Sequence, residues 1–535
     1  MNDSLYDQFV RTERKYPHNI ALRFEHRTYS YERLDQRILD CARRLAYLGV
    51  KKGDVVSVSL PNCPISVHLF YAINLLGAIS YNIHPLTKPK KISEMMKQAD
   101  SHLLFSLSLN AKELNDGLAS DIRFILVNPY YKENIIKYLA VKKKSGNQGR
   151  GTPYEKLKMT KQVEVLHPRK DEDSVYLNTG GTNGDPKIVR LSNESINYLA
   201  KQGYPLIGGN VKDIRILTAI PLFHGFGLGM GVHTPLSAGA SSVLMLKFNT
   251  KEAIRYIRKG QATVLIGVPA LYNALLSRER FYGPFLKKQI IAYIGGDNVP
   301  KELLKRWNRT MEEYHSNARL YEGYGLTETV TCCSVNTKDG RSREGSIGKG
   351  LPGIDILIRN PDTDEILPHM VDGEILVSGP TLMNGYLNQK DEKDLFVWIK
   401  GKKYLSTKDW GYLDKDGYLY FRQRMRRIVK INGESLCPSD VENIVLKNQD
   451  VYEAYCYGAK DEKRGHCFRL AISKNQNSIK DNETLKKEIL EAIRKELPPS
   501  YLPDRIDVYQ KLPHTPVGKI DTSKFKEDDK KQSLS

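Results

Sequence analysis

The sequence predicts an α/β protein: a large N-terminal domain of layered α/β subdomains with mostly parallel sheets, followed by a small α+β domain. Three observations carry this. A chain of 535 residues, 40% of them hydrophobic, exceeds what one core organises. From about residue 20 to residue 390, short β-branched runs alternate with stretches of helical length, as parallel strands covered by helices do. Near residue 420 this gives way to turns rich in Asp and Gly and a basic stretch at 422–427, so the domains are set at 1–423 and 424–535.

The elements follow in order. The most apolar window, around residues 66–80, is too short and too polar to span a bilayer. The segment KKKSGNQGRG, with Lys142, Lys143 and Lys144, reads as an inserted loop. Residues 216–221, 241–246, 262–268, 289–296 and 318–325 read as strands. Pro269 and Pro300 open helices over 269–281 and 300–311, each at an early helical position. In the second domain, residues 438–448 and 483–498 have the patterns of amphipathic helices.

Composition excludes some functions and leaves others. Seven cysteines without CxxC spacing argue against a disulfide framework or a structural zinc site, and Cys332 and Cys333 read as ordinary buried thiols. The opening MNDSLYDQFV lacks the pattern of a signal peptide, so the expected location is cytoplasmic, with no transmembrane segment. The net charge of +20 suits phosphorylated substrates, a membrane surface or nucleic acid. No helix-turn-helix, zinc-finger or RNP-like pattern accompanies it, so nucleic acid is not the expected partner.

The segment with most chemistry is YLNTGGTNGDPK, residues 176–187, between two strand-like runs. Its glycines let the backbone approach an anion, Thr179 and Thr182 can donate to phosphate oxygens, and Lys187 adds positive charge. It is not a Walker A loop, because Asp185 and Pro186 separate Gly184 from Lys187 and no Ser or Thr follows. A plain hairpin turning at Asn183-Gly184 is the competing reading.

This loop resembles the Thr/Ser-Ser-Gly-Thr-Thr-Gly-x-Pro-Lys signature of the adenylate-forming superfamily of acyl-CoA synthetases, luciferases and peptide-synthetase adenylation domains. Further segments resemble that family in the same order: PLFH ending at His224, YGLTE at 324–328, STKD ending at Asp409, and PHTPVGK ending at Lys519. Residues 82–85 and Gly433 also resemble family positions, so the similarity covers nearly the whole chain.

The resemblance implies an ATP-dependent carboxylate ligase that forms acyl-AMP and pyrophosphate and then passes the acyl group to the thiol of CoA. Two anions must be brought into line and their charge neutralised. Thr179, Gly181, Thr182, Gly184 and Lys187 would hold the β- and γ-phosphates, Thr327 the α-phosphate, and Glu328 would bind Mg²⁺. Tyr324, flanked by Gly323 and Gly325, would stack on adenine, Asp409 would accept from the ribose hydroxyls, and Arg424 would help hold the nucleotide. Lys519 would be the catalytic cation of the first step, bridging carboxylate and phosphate. His224 would stand as a gate beside the acyl site, before glycines 225, 227, 229 and 231 that either leave room for a bulky acid or permit close helix packing. The family's C-terminal domain is mobile: a rotation hinged at Arg426 would replace the Lys519 face by one around Lys430 and Gly433 for the thiol step.

Several positions depart from the family pattern: Gly180, Asn183, Lys408 in place of the Gly of TGD, Gln423, and Asp297, for which contact with the adenine amine is an expectation. Lys408 is expected either to pair with Asp409 or to attract phosphate. Sixteen residues follow Lys519, so the acceptor thiol is expected on a separate molecule, CoA or alternatively a free acyl or peptidyl carrier protein. The other readings are a non-catalytic nucleotide-binding protein and a basic nucleic-acid-binding protein.

Overall fold

The computed structural model describes residues 3–179, 186–297, 299–339, 342–388, 395–431, 434–461, 465–475, 478–513, 520–521 and 524–525. The chain divides into two compact units. The first comprises Met1–Ile356, Leu376–Ser406 and Asp414–Leu419; the second comprises Leu357–Ile375, Thr407–Leu413 and Tyr420–Ser535.

Two large sheets organise the first unit. In a nine-stranded sheet, strands Ile20–Phe24, Ser241–Leu244, Arg215–Thr218, Val264–Gly267, Ile291–Ile294 and Leu320–Tyr324 lie side by side, every neighbouring pair parallel. An eight-stranded sheet runs Gly385–Tyr386, Ile188–Ser192, Asp173–Asn178, Ile79–Asn82, Val55–Ser59, Leu103–Leu107, Arg123–Val127, Thr152–Pro153. Its first two pairings are antiparallel and the rest parallel. The α/β expectation therefore holds, and the parallel strands read as apolar runs because both their faces are covered. Helix Pro64–Leu75, the apolar window of the sequence, is buried at every position. Among the described residues no helix is long and apolar enough to cross a membrane.

The second unit has its own core. Helices Pro438–Val445 and Asn482–Glu496 pack through Val441, Ile444, Leu485, Ile489 and Ile493 onto Phe468, Leu470 and Ile472. Strands Val451–Asp461 and Gly465–Lys474 are antiparallel, and Arg505–Tyr509 joins the latter in parallel.

Two local expectations are corrected. Lys142, Lys143 and Lys144 are not in a loop; they form the last turn of helix Ile135–Ser145, where cations face the negative end of the helix dipole. The chain leaves the helix at Gly146, whose φ of 58° a residue with a side chain rarely adopts. Pro300 is the N-cap of helix Lys301–Glu313 rather than a residue inside its first turn, whereas Pro269 is the first residue of helix Pro269–Leu276.

Candidate functional site

In the first unit the phosphate-loop candidate joins two antiparallel strands, Asp173–Asn178 and Ile188–Ser192. Its ends are pinned by two bonds: the Thr179 N–H donates to the Lys187 carbonyl (2.9 Å), and the Lys187 N–H donates to Thr179 Oγ1 (3.1 Å). The hairpin reading is thus correct for the strands that flank the loop. Thr179 Oγ1 accepts here and retains a proton to donate. Gly181, Thr182 and Gly184, with Gly180 and Asn183, lie outside the described residues.

Lys187 and Glu328 meet through a residue that the sequence did not single out. The Lys187 ammonium lies 4.6 Å from the centre of the Tyr386 ring, and the Tyr386 hydroxyl donates to Glu328 Oε1 at 2.6 Å. Strand Gly385–Tyr386 reaches this place by pairing antiparallel with the strand that follows Lys187, Tyr386 opposite Val189. The Met383 N–H donates to the Glu328 carbonyl, which fixes the same segment from the other side (2.8 Å). A cation, an aromatic hydroxyl and a carboxylate are therefore held together by strand pairing. Glu328 presents hard oxygen of the kind Mg²⁺ takes, so the donor chemistry fits that ion.

Thr327 and Glu328 lie in a 3₁₀ turn after strand Leu320–Tyr324. Thr329 Oγ1 caps the turn by accepting from the Leu326 N–H, and Val330 leaves it at φ 64°, a strained conformation for a β-branched residue. Gly323 and Tyr324 pair with Val335 and Ser334, so the strand continues up to the turn. Cys332 and Cys333 donate to the Ser334 and Tyr324 carbonyls; Cys333 is buried as expected, whereas Cys332 is half-buried.

His224 precedes a π-helix, Phe226–His233, and is exposed. Phe223 lies between two imidazoles, 4.4 Å from His84 and 4.6 Å from His224, ring centre to ring centre. This contact joins the segment at 82–85 to PLFH. The glycines after His224 are now accounted for. A Cβ at Gly225 would overlap the Val330 carbonyl, one at Gly227 the Pro221 carbonyl, one at Gly229 would meet Leu199, and one at Gly231 would meet Thr218. All four serve close packing, and none supplies room for a bulky acid.

The second unit carries the remaining predicted nucleotide ligands. Asp409 is fully buried on strand Lys402–Leu413, with its N–H bonded to Thr407 Oγ1 (3.1 Å) and its carboxylate 2.8 Å from Arg424 Nη1. Lys408 pairs with Glu374. Its ammonium lies 3.8 Å from Glu374 and its N–H donates to the same carboxylate (3.3 Å), because successive strand residues face opposite ways. Glu374 is buried and held mainly by Arg359. Lys408 has φ 58°, the left-handed conformation for which the family's Gly is suited. Lys430 pairs with Asp362 at 3.1 Å, Arg426 is exposed in the turn Met425–Arg427, and Gly433 and Lys519 lie outside the described residues. Asp297 is exposed, just after Gly296 in a left-handed turn.

Residues 9–387 match the model of the AMP-binding enzyme family, and residues 440–519 match that of the AMP-binding enzyme C-terminal domain. The chain belongs to the AMP-binding enzyme family. As a member it is an AMP-forming acid–thiol ligase, using ATP. This AMP-binding enzyme is 27% identical to a long-chain-fatty-acid–CoA ligase of Bacillus subtilis, over 97% of this chain and 93% of the relative. It is 26% identical to a 4-coumarate–CoA ligase of Pinus taeda over 92% and 88%. It shares its fold with ATP-bound MatB from Rhodopseudomonas palustris (TM-score 0.81, 20% identity, 99% of both chains). The o-succinylbenzoate CoA synthetase of Bacillus subtilis has the same fold (TM-score 0.79, 23% identity, 97% of both).

Two measurements test the site of this AMP-binding enzyme. Tyr386→Phe keeps the ring, removes the hydrogen bond to Glu328 and is expected to lower kcat/KM for ATP about tenfold. Tyr386→Leu also removes the ring under Lys187 and is expected to cost several-fold more. Equal losses in the two variants, by steady-state kinetics, would rule out the ring as a platform.

Glu322, two residues before Tyr324, has its carboxyl pushed up to about 7 by burial, with Lys301 opposing and Glu344 reinforcing the shift. A raised carboxyl pKa means that the folded state holds the proton more tightly than the unfolded one. The resulting stability is complete below about 4.5 and is lost as pH rises through 7. Glu322→Gln is accordingly expected to raise stability at pH 8 by about 1–2 kcal/mol and to change little at pH 5. Equal shifts in Tm at both pH values would contradict this origin.

Proposed function

We propose that this enzyme activates a carboxylic acid as its acyl-AMP, releasing pyrophosphate, and then transfers the acyl group to CoA. The convergence of Lys187, Tyr386 and Glu328 carries the reading, because it holds a cation and a hard-oxygen carboxylate beside the mouth of a Gly- and Thr-rich loop. In this reading Thr179, Gly181, Thr182, Gly184 and Lys187 neutralise the β- and γ-phosphates as pyrophosphate departs, and Thr327 donates to the α-phosphate. Gly323 and Tyr324 take adenine. Asp409, oriented by Arg424 and Thr407, accepts from the ribose hydroxyls. Glu328 would hold Mg²⁺, which when bound spreads the charge of the departing pyrophosphate.

Lys519 supplies the ammonium that stabilises charge between attacking carboxylate and phosphorus. His224, beside Phe223 and His84, lines the approach of the acid. Residues 1–423 would bind nucleotide and acid, and 424–535 would present Lys519 for the first step and Lys430 and Gly433 for the second. The proposed acid is a fatty acid, supported by the Bacillus relative spanning 97% of the chain; the Pinus relative makes an aryl acid the second choice. The proposed setting is the cytoplasm, and the proposed acceptor is CoA rather than a carrier protein.

The test is pyrophosphate release from ATP and Mg²⁺ across fatty, aryl and short dicarboxylic acids, with and without CoA. Acid-dependent release, with acyl-CoA accumulating only when CoA is present, is the expected result. Release that no acid stimulates, from protein that still binds ATP, would refute the proposed activity.

A further inference from the structure

Helix Ile135–Ser145 buries almost none of itself: Ser145 is its one buried residue. Ile135, Ile136 and Leu139 are 67%, 78% and 55% exposed. Separated by one, three and four positions, they form one aliphatic patch facing water. The helix contains Lys137, Lys142, Lys143 and Lys144 and no carboxylate. The last three complement the helix dipole, which accounts for the lysines but leaves the aliphatic patch unexplained.

Beside this helix lies a basic cavity. Lys137 reaches Glu25 at 2.7 Å, and Arg27 Nε donates to the Glu133 carbonyl at 3.3 Å, which ties the turn between strands Ile20–Phe24 and Arg27–Ser30 to the chain entering the helix. On that turn a cavity of about 100 Å³ is lined by Arg23, His26, Arg27, Arg255 and Lys259, with Glu25 the carboxylate among its walls. Glu25 is already shared with Lys137, and Arg255 leans on Glu252 at 3.2 Å. Arg23 Nε is buried and makes no hydrogen bond, and burial together with Arg215 disfavours its charge. Three arginines and a lysine around so few carboxylates leave an excess of positive charge that an oxyanion would offset.

We propose that the patch and the cavity form one docking surface for an anionic phospholipid bilayer. Ile135, Ile136 and Leu139 enter the boundary between headgroups and acyl chains, Lys142, Lys143 and Lys144 meet the surface charge, and the cavity takes a headgroup phosphodiester. Exposed aliphatic residues on a helix that carries only positive charge have the composition of an interfacial segment. Every residue involved lies within Met1–Ile356, and none belongs to the nucleotide site.

The test is co-sedimentation of the full-length enzyme with vesicles of phosphatidylcholine alone and of phosphatidylcholine mixed with phosphatidylglycerol, at low and high salt. Partition onto the mixed vesicles is expected to be at least tenfold stronger and to weaken with salt. Ile136→Glu with Leu139→Glu, and separately Arg23→Gln with Arg255→Gln, are each expected to lower it about tenfold or more. ATP-dependent turnover of a water-soluble acid should remain unchanged in both and reports their folding. If the Arg23 variant fails to fold, Arg255→Gln with Lys259→Gln replaces it, with the same expected loss. Equal partition onto both vesicle types, no partition, or wild-type partition by either double variant would overturn the proposal.

Discussion

Gly225→Ala is expected to cost about 3 kcal/mol or more of stability, well above an ordinary single substitution. The reason is that backbone meets backbone: the added Cβ would overlap the Val330 carbonyl, which belongs to the residue ending the Thr327–Glu328 turn. That residue already has φ 64°, so it has little further room to yield. At Gly229 the same substitution meets only the ends of side chains, Leu199 Cδ2 at 2.7 Å and Val330 Cγ1 at 3.3 Å, which can move. Gly229→Ala is accordingly expected to cost about 1 kcal/mol. Denaturant unfolding of the two variants compares them directly, and a Gly225 variant no less stable than the Gly229 variant would refute the packing argument. The displaced turn should also weaken ATP use, since it carries Thr327 and Glu328.

The comparison of these glycines shows which parts of the site were legible in the sequence. The motif residues were legible because each does a local job: Thr179 and Lys187 clamp the two ends of one loop, and Thr327 and Glu328 sit in one turn. What the glycines do was not legible, since their spacing fits either an open pocket or tight packing. The choice is made by Val330, Pro221, Leu199 and Thr218, brought there by the fold. Tyr386 was missed for the same reason. Its role depends on pairing with Val189, about two hundred residues away, and Gly-Tyr in a turn-rich segment gives no local sign of it. The basic segment was misread in the opposite direction. Gly146 and Gly149 drew attention to a loop, while the strong helix formers before them set the local structure. Lys408 shows a further limit: adjacency to Asp409 suggested a pair, but strand alternation turned it toward Glu374, far away in sequence.

Lys519→Ala and Arg426→Pro are expected to fail in opposite half-reactions. In the proposed role of Lys519, loss of its ammonium would remove charge stabilisation that acyl-AMP formation alone requires, so adenylation is expected to fall by about 10²–10³. Thioester formation from acyl-AMP supplied directly should change by less than about threefold, because the acyl–phosphate bond has already formed. Arg426 stands between two anchored residues of the second unit: Arg424 lies 2.8 Å from Asp409, and Arg427 holds Glu442 at 2.5 Å. If the proposed hinge lies here, these two anchors would leave Met425 and Arg426 to absorb the change in backbone angles. These residues lie in a 3₁₀ turn, Met425–Arg427, a conformation whose usual φ of about −50 to −70° is within reach of proline, so the variant is expected to fold and adenylate. Proline would nevertheless forbid the change in φ that a hinge at this position requires, and thioester formation should fall by about 10². The two variants are compared by acid-dependent pyrophosphate release and by single-turnover acyl-CoA formation from acyl-AMP. Loss of both half-reactions in Arg426→Pro, with its Tm unchanged, would place the hinge elsewhere. Retained adenylation in Lys519→Ala would remove the lysine from catalysis and shift the burden of charge stabilisation to Lys187 and the Thr327 turn.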